Sequence, residues 1–226
     1  MPRLPTRSLL ALGGDLGPGL HLVAGAHASG KTQLLVQMAV ETAAANTPAH
    51  LFLPDTHRTE AARRVAAVLS GRAWVELSDD AATEHLDRLS GAPLALDAQV
   101  PGFQLEGLEL PRSGLVGVDL FAPAPSPQPL RALRHAALAH GLTVVATYPS
   151  RLVTAPEGPI GAALGAGVDQ EALAVVDSAW VIVPEAGAAR TVCCAKARWG
   201  ASGSARLKFA GARFEDEPKE MDLNLD

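Results

Sequence analysis

Eight consecutive residues restrict the fold of this chain more than any other stretch of its sequence. They read Gly25-Ala26-His27-Ala28-Ser29-Gly30-Lys31-Thr32 and fit the pattern G-x-x-x-x-G-K-[ST]. A short apolar run, residues 20–24, ends directly before them. Residues 31–45 follow, rich in helix formers and free of Gly and Pro. The pattern therefore predicts a strand, a phosphate-binding loop, and a helix whose positive end faces an anion.

Each residue type in this stretch, called the phosphate loop below, has a chemical task. Glycines allow backbone N–H groups to turn toward phosphate oxygens, a lysine reaches the β- and γ-phosphates, and a hydroxyl binds Mg²⁺. We therefore expect ATP and Mg²⁺ as cofactors and Lys31 as a catalytic residue. The expected nucleotide-binding residues are Gly25, Ala26, His27, Ala28, Ser29, Gly30, Lys31, Thr32 and Gln33.

A second metal-binding group is expected at the end of another buried strand. Residues 115–118 are Leu-Val-Gly-Val and lead into Asp119. In open α/β sheets, ligands bind at the carboxyl edge, where such a carboxylate can order the Mg²⁺ shell. The predicted metal ligands are therefore Thr32 and Asp119. The alternative is that Asp119 only begins a turn before Pro123.

The order of the remaining segments predicts an α/β fold. Strand and helix signals alternate over the first two-thirds of the chain, which indicates a mostly parallel central sheet covered by helices on both faces. Four closely spaced strand signals between residues 179 and 214 indicate C-terminal antiparallel hairpins. Residues 1–19 are expected to form an irregular lead-in, 73–77 a strand, and 149–167 a mobile loop. The predicted organisation is an N-terminal arm (1–11), one domain (12–215) and an acidic, disordered tail (216–226).

Composition excludes several classes of protein. The 226 residues are 48% hydrophobic and 19% charged, which excludes bulk disorder. Apolar runs end well before 18 residues, so we expect no membrane-spanning helix. The two cysteines, Cys193 and Cys194, are neighbours, which excludes a disulfide framework and predicts strand packing with one inside and one outside. With no secretory signal at the N-terminus, a cytoplasmic location is expected.

The net charge of −5 arises entirely in the last twelve residues. Residues 215–226 contain six acidic side chains and one basic one, and the other 214 residues contain 18 of each. A neutral body argues against tight, stand-alone binding of nucleic acid, so any such binding must use a local patch or several subunits. The acidic tail can dock a protein partner, mimic DNA, or be a solvated end.

Taken together, these segments resemble the RecA-type P-loop ATPase fold, and within it the motor domain of DnaB-type replicative helicases. The resemblance covers about residues 12–215 and includes Val118-Asp119-Leu120, Val176-Asp177-Ser178-Ala179, and Ala195-Lys196-Ala197-Arg198-Trp199-Gly200. It implies a ring or filament of identical subunits with ATP at each interface. Lys196 and Arg198 match the family's Lys-x-Arg pair, which reaches the γ-phosphate held by the neighbouring subunit.

Independent support for that role comes from spacing, because residues i and i+2 of a strand share a face. Two cations on one face can stabilise a transferring phosphoryl group. The alternative is a solvated face of an edge hairpin. The expected function is a homo-oligomeric ATPase acting on or with DNA, with single-stranded DNA as a possible partner. Alternatives are a nucleotide-binding regulatory or scaffold protein that hydrolyses weakly, and a recombination-mediator or clock-type relative of the fold.

The chain departs from the family at several positions. The glutamate after the second strand is absent, and Asp55 is the expected base unless it only caps the next helix. Tyr148 replaces the family's glutamine on the sensor strand, either bonding through its hydroxyl or serving a structural role. The helix before the Asp119 strand is replaced by an irregular segment, 98–113. The loops that face DNA in the family, 120–127 and 150–168, contain one basic residue, Arg151.

Overall fold

A mixed sheet forms the centre of the protein in the computed structural model. The structure describes residues 4–14, 16–89, 91–99, 114–119, 127–151, 153, 158–198 and 200–217. The strands in this part of the chain are β1 (Gly19–Gly25), β2 (Ala49–Leu53), β3 (Leu94–Ala98), β4 (Gly114–Asp119), β5 (Leu142–Pro149), β6 (Ser178–Pro184), β7 (Ala189–Ala197), β8 (Gly203–Phe209) and β9 (Phe214–Asp216).

Helices cover this sheet. The α-helices of the described residues are α1 (Arg7–Gly13), α2 (Lys31–Ala44), α3 (Arg58–Ser70), α4 (Asp79–Asp87), α5 (Pro127–His140), α6 (Gly158–Gly165) and α7 (Gln170–Val175). A short 3-10 helix, Trp74–Glu76, follows α3.

The strand order is β3-β2-β4-β5-β1-β6-β7-β8-β9. All pairs from β3 to β6 are parallel, and the pairs from β6 to β9 are antiparallel. This confirms the predicted fold class, a mostly parallel sheet that continues into antiparallel C-terminal hairpins. Because the strands that precede helices run parallel, the carboxyl ends of β1, β2, β4 and β5 share one edge.

Alternation along the strands divides the core into two layers. On β5, Val144 and Ala146 belong to an apolar cluster shared with α5, α6 and α7, whereas Val145 belongs to a cluster shared with α2 and α3. Cys193 and Cys194 follow the same rule and enter opposite clusters. Both thiols are buried, because both faces are covered here, so the expectation of one exposed cysteine is wrong.

Three local predictions are also wrong. Residues 7–13 of the expected lead-in form α1, because Thr6 caps it by accepting a hydrogen bond from the Leu9 N–H. Residues 74–76 of the expected strand form the 3-10 helix. Within the expected loop, residues 158–165 form α6, whose Ala162 and Ala163 are buried. Small side chains let this helix lie close to the sheet, which composition alone represents as loop.

One buried carboxylate joins four segments at the amino edge of the parallel strands. Asp177, directly before β6, accepts two hydrogen bonds from Arg134 of α5, one from Arg198 after β7 and one from the Leu20 N–H of β1. A Cβ on Gly19 would lie 2.3 Å from its Oδ2, so glycine makes room for the carboxylate. Burial alone would raise the pKa of Asp177, but the hydrogen bonds from Arg134, Arg198 and the backbone lower it to about 2.

This pKa predicts how stability changes in acid. The folded pKa of Asp177 lies below its ordinary value of 3.8, so ionised Asp177 stabilises the fold above about pH 4, and this contribution disappears toward pH 2. The difference corresponds to about 2 kcal/mol. We expect urea unfolding to show wild type more stable than Asp177→Asn near neutrality, with the gap narrowing by about that amount in acid.

Asp79→Asn is the control, because Asp79 forms an exposed pair with Arg63 and its loss should cost little at any pH. A gap between wild type and Asp177→Asn that stays constant from neutrality to pH 2 would contradict the assignment.

Candidate nucleotide-binding site

The phosphate loop lies at the carboxyl edge of the parallel strands, between β1 and α2. On β5, Thr147 lies beside Asp119 of β4 on one side and Val23 of β1 on the other. The strand that ends in Asp119 and the strand that leads into the phosphate loop are therefore separated by β5. At about 4.8 Å per strand, the two backbones lie about 10 Å apart.

The backbone of the phosphate loop explains its glycines. Gly30 has a φ of +101°, in the left-handed region, and is the N-cap of α2. A Cβ there would lie 2.8 Å from Cζ of Phe214, and a Cβ on Gly25 would lie 2.4 Å from Oγ of Ser29. The first N–H groups of α2 have no partner within the helix and point toward the loop.

Three side chains meet at this edge. The Lys31 ammonium donates to the Ala26 carbonyl, Nζ to O 2.9 Å, which holds it across the loop. The Thr32 hydroxyl donates to Oδ2 of Asp119 at 2.9 Å. Burial lowers the pKa of Lys31, and the charge of Asp119 acts in the opposite direction. The structure thus brings together the lysine, hydroxyl and carboxylate that the sequence predicts.

Thr147 is a member of this cluster that the sequence reasoning missed. It is fully buried, and its hydroxyl donates to Oδ1 of Asp119, the oxygen that Thr32 does not use. The signal that could have found it is register, because a hydroxyl residue near the end of the strand beside β4 is placed next to Asp119.

The residues present fit a nucleoside triphosphate with Mg²⁺. The Oγ of Ser29 is buried, and in the part of the chain that the structure describes it has no hydrogen-bond partner. When Thr32 donates its proton to Asp119, its oxygen lone pairs remain for a metal. The described residues contain no group of three or more His, Cys, Asp or Glu side chains able to hold a metal. This suits Mg²⁺, which in such sites takes few protein ligands and relies on phosphate oxygens and water.

Other predicted residues contribute differently. The side chain of Gln33 is buried and donates to the carbonyls of Arg64 and Ala212, so only its backbone N–H faces the loop. His27 and Ala28 have exposed side chains.

Asp55 lies two residues beyond β2 at the same edge and is exposed. Within the described ranges its carboxylate makes no hydrogen bond, and His57, not Asp55, caps α3.

Tyr148 faces away from the phosphate loop. It packs in the apolar cluster that includes α5, α6 and α7, on the side of the sheet opposite α2. Its hydroxyl donates to the Gly167 carbonyl at 3.3 Å, and burial raises its pKa. The side chain at the family's glutamine position therefore has a structural contact, and Thr147, one residue earlier, faces Asp119.

Lys196 and Arg198 lie at the amino edge, far from their own phosphate loop. Lys196 pairs with Ala179 near the start of β6, whereas Gly25 lies beside Ile182 near the end of β6. Lys196 donates to the Leu173 carbonyl at 2.7 Å, and burial lowers its pKa. Arg198 donates to Asp177 at 2.8 Å. The seven residues of β1 separate the two edges by about 20 Å.

Several sequence predictions fall on residues outside the described ranges. These are most of segment 98–113, residues 120–126 and 154–157 of the expected DNA-facing loops, Trp199, and the tail beyond residue 217. Arg151 is described and exposed. No helix in the described residues is long and apolar enough to cross a membrane.

Comparison with solved structures identifies the fold. No protein-family profile and no curated protein sequence matches the chain. The ATPase domain of a DnaB-type helicase matches with a TM-score of 0.66 and 13% identity, over 89% of this chain and 85% of that one.

A DnaB-like replicative helicase, solved for its interactions with primase, matches with a TM-score of 0.71 and 13% identity, over 96% of this chain but 63% of that one. RadB recombinase matches with a TM-score of 0.61 and 16% identity, over 96% of this chain and 100% of that one. The chain therefore has the fold of RecA-type P-loop ATPases.

The orientation of Tyr148 yields a test. We expect Tyr148→Phe to bind ATP with the wild-type dissociation constant, measured by calorimetry, because the hydroxyl does not face the phosphate loop. Loss of the bond to Gly167 should lower the free energy of unfolding by about 1 kcal/mol. A large change in nucleotide affinity with unchanged stability would show that Tyr148 does sense the nucleotide.

Proposed function

We propose that this chain binds ATP with Mg²⁺ at the phosphate loop and hydrolyses it as a RecA/DnaB-like ATPase. The observation that carries the proposal is the contact between Thr32 and Asp119, with Lys31 held across the same loop. These residues come from two strands that are not neighbours, and the fold brings them together at the edge where α/β proteins bind ligands.

The chain's own groups have distinct tasks in this proposal. Backbone N–H groups of the phosphate loop hold the phosphate oxygens, and Lys31 moves from the Ala26 carbonyl to the β- and γ-phosphates. Thr32 and Asp119 hold Mg²⁺, which neutralises charge on the phosphates. Asp55 is the nearest candidate along the chain for orienting the attacking water, and its exposed position leaves it able to turn toward the site.

The second part of the proposal is that catalysis occurs between subunits of a homo-oligomer. Lys196 and Arg198 share a strand face but lie at the opposite edge from their own phosphate loop. A side chain cannot cross the roughly 20 Å between the edges. In a head-to-tail ring or filament, the amino edge of one subunit meets the phosphate loop of the next, and both cations then reach a neighbour's γ-phosphate.

The proposed partner is DNA, through single strands bound by several subunits together. Support comes from the likeness of fold to a replicative helicase and a recombinase. The neutral body of the chain favours weak contacts per subunit that add over an oligomer. A cytoplasmic location and a protein partner for the acidic tail complete this proposal.

A second candidate function is a nucleotide-binding regulatory or scaffold protein with weak or no hydrolysis. Two observations favour it: the exposed Asp55 has no described partner that fixes it, and Tyr148 faces the other side of the sheet. Such a protein would use ATP binding to set its assembly state rather than to drive movement.

Turnover of ATP by the purified protein separates the two functions. We expect measurable hydrolysis that single-stranded DNA increases and that Lys31→Ala abolishes, since Lys31 is the residue that reaches the phosphates. Phosphate release is measured with and without DNA. Tight nucleotide binding with turnover no higher than that of Lys31→Ala would exclude the motor and leave the scaffold function.

Mixing two inactive variants tests catalysis between subunits. Lys31→Ala removes the nucleotide site and keeps Arg198, whereas Arg198→Ala does the opposite. If Arg198 acts on a neighbour, a one-to-one mixture should regain about a quarter of wild-type turnover, because random assembly gives that share of intact interfaces. Each variant alone should be inactive.

Arg206→Ala is the matched control, because Arg206 is also an exposed arginine in an ion pair on the C-terminal hairpins, with Glu185. It should keep wild-type turnover. A mixture of Lys31→Ala and Arg198→Ala that stays inactive although the subunits co-assemble would contradict action in trans.

A further inference from the structure

We propose that Thr147 is a positioning residue that fixes the carboxylate of Asp119 for Mg²⁺. This inference rests on the proposed function and extends it to a residue on a third strand. Its basis is the hydrogen bond from the Thr147 hydroxyl to Oδ1 of Asp119.

The location of Thr147 makes this contact possible. Its strand, β5, lies between the strand that ends in Asp119 and the strand that leads into the phosphate loop. The register puts Thr147 directly beside Asp119. Two residues earlier on the same face, Val145 packs in the cluster that contains α2, so Thr147 points to the side of the sheet from which Thr32 comes.

The two hydroxyls hold the carboxylate at both ends. Thr32 donates to Oδ2 and Thr147 donates to Oδ1, so rotation of the carboxylate about its own axis would break one bond or the other. Thr147 is fully buried and β-branched, which restricts it to few rotamers. The orientation of Asp119 is therefore fixed by the fold before any metal arrives.

Fixing a metal-binding carboxylate in advance has a measurable effect. Partners that orient metal ligands typically contribute tenfold or more to metal affinity. A structural hydroxyl would instead affect stability alone. The dependence of nucleotide binding on Mg²⁺ therefore distinguishes positioning from packing.

The experiment measures ADP binding to the full chain by calorimetry while Mg²⁺ is varied, and again in EDTA. For Thr147→Val, which keeps the shape and removes the hydroxyl, we expect the Mg²⁺ midpoint to rise by about tenfold. Affinity for ADP in EDTA should change by less than about twofold, because the phosphate loop is untouched. Thr147→Ser, which keeps a hydroxyl, should restore most of the Mg²⁺ response.

Thr143→Val is the matched control. Thr143 lies on the same strand and face and is also buried, but its hydroxyl donates to the carbonyls of Leu16 and Gly17. It should lose stability without a change in Mg²⁺ midpoint, and circular dichroism should show that both variants are folded.

Three results would overturn the inference. The first is an unchanged Mg²⁺ midpoint in folded Thr147→Val, and the second is an equal shift in Thr143→Val. In both, wild type still binds ADP with Mg²⁺, so the proposed function stands and only the role of Thr147 fails. The third is wild type that shows no Mg²⁺-dependent nucleotide binding, in which case the proposed function fails and the role of Thr147 fails with it.

Discussion

The parallel register of β4, β5 and β1 is the constraint on which the candidate site depends. It places Asp119 and Thr147 side by side and brings the phosphate loop to the same edge of the sheet. Because one strand intervenes, a carboxylate on β4 can meet the start of α2 only from the end of its strand. The hydrogen bonds at Asp119 are thus a consequence of strand order rather than of neighbours in sequence.

The opposite edge of the sheet has its own electrostatic centre, built around Asp177. Arg134 provides two of the four hydrogen bonds to this carboxylate and the Leu20 N–H provides a third. Asp177 would therefore keep a bidentate cationic partner if Arg198 turned toward a neighbouring subunit. An arginine that changes partners in this way leaves no buried charge uncompensated, which removes the largest cost of such a movement.

Much of the fold and the centre of the site were predictable from the sequence, because their signals are local. The phosphate loop is one continuous motif, and Asp119 ends an apolar run, so both are read without knowledge of tertiary contacts. Thr147 was missed because its importance arises from strand pairing, and two threonines at equivalent positions of β5 look alike in sequence. The helix α6 was missed because its Gly and Ala residues reflect close packing on the sheet rather than a loop.

The contacts of α2 with the C-terminal segment have a structural consequence for the phosphate loop. Gln33 donates to the Ala212 carbonyl, Gln37 exchanges two hydrogen bonds with the backbone of Phe214, and the Phe214 ring lies beneath Gly30. The residues just before the acidic tail therefore form the floor of the loop. A chain that ended before residue 212 would leave two buried amides without these partners and a ring-sized void under the glycine that begins the helix.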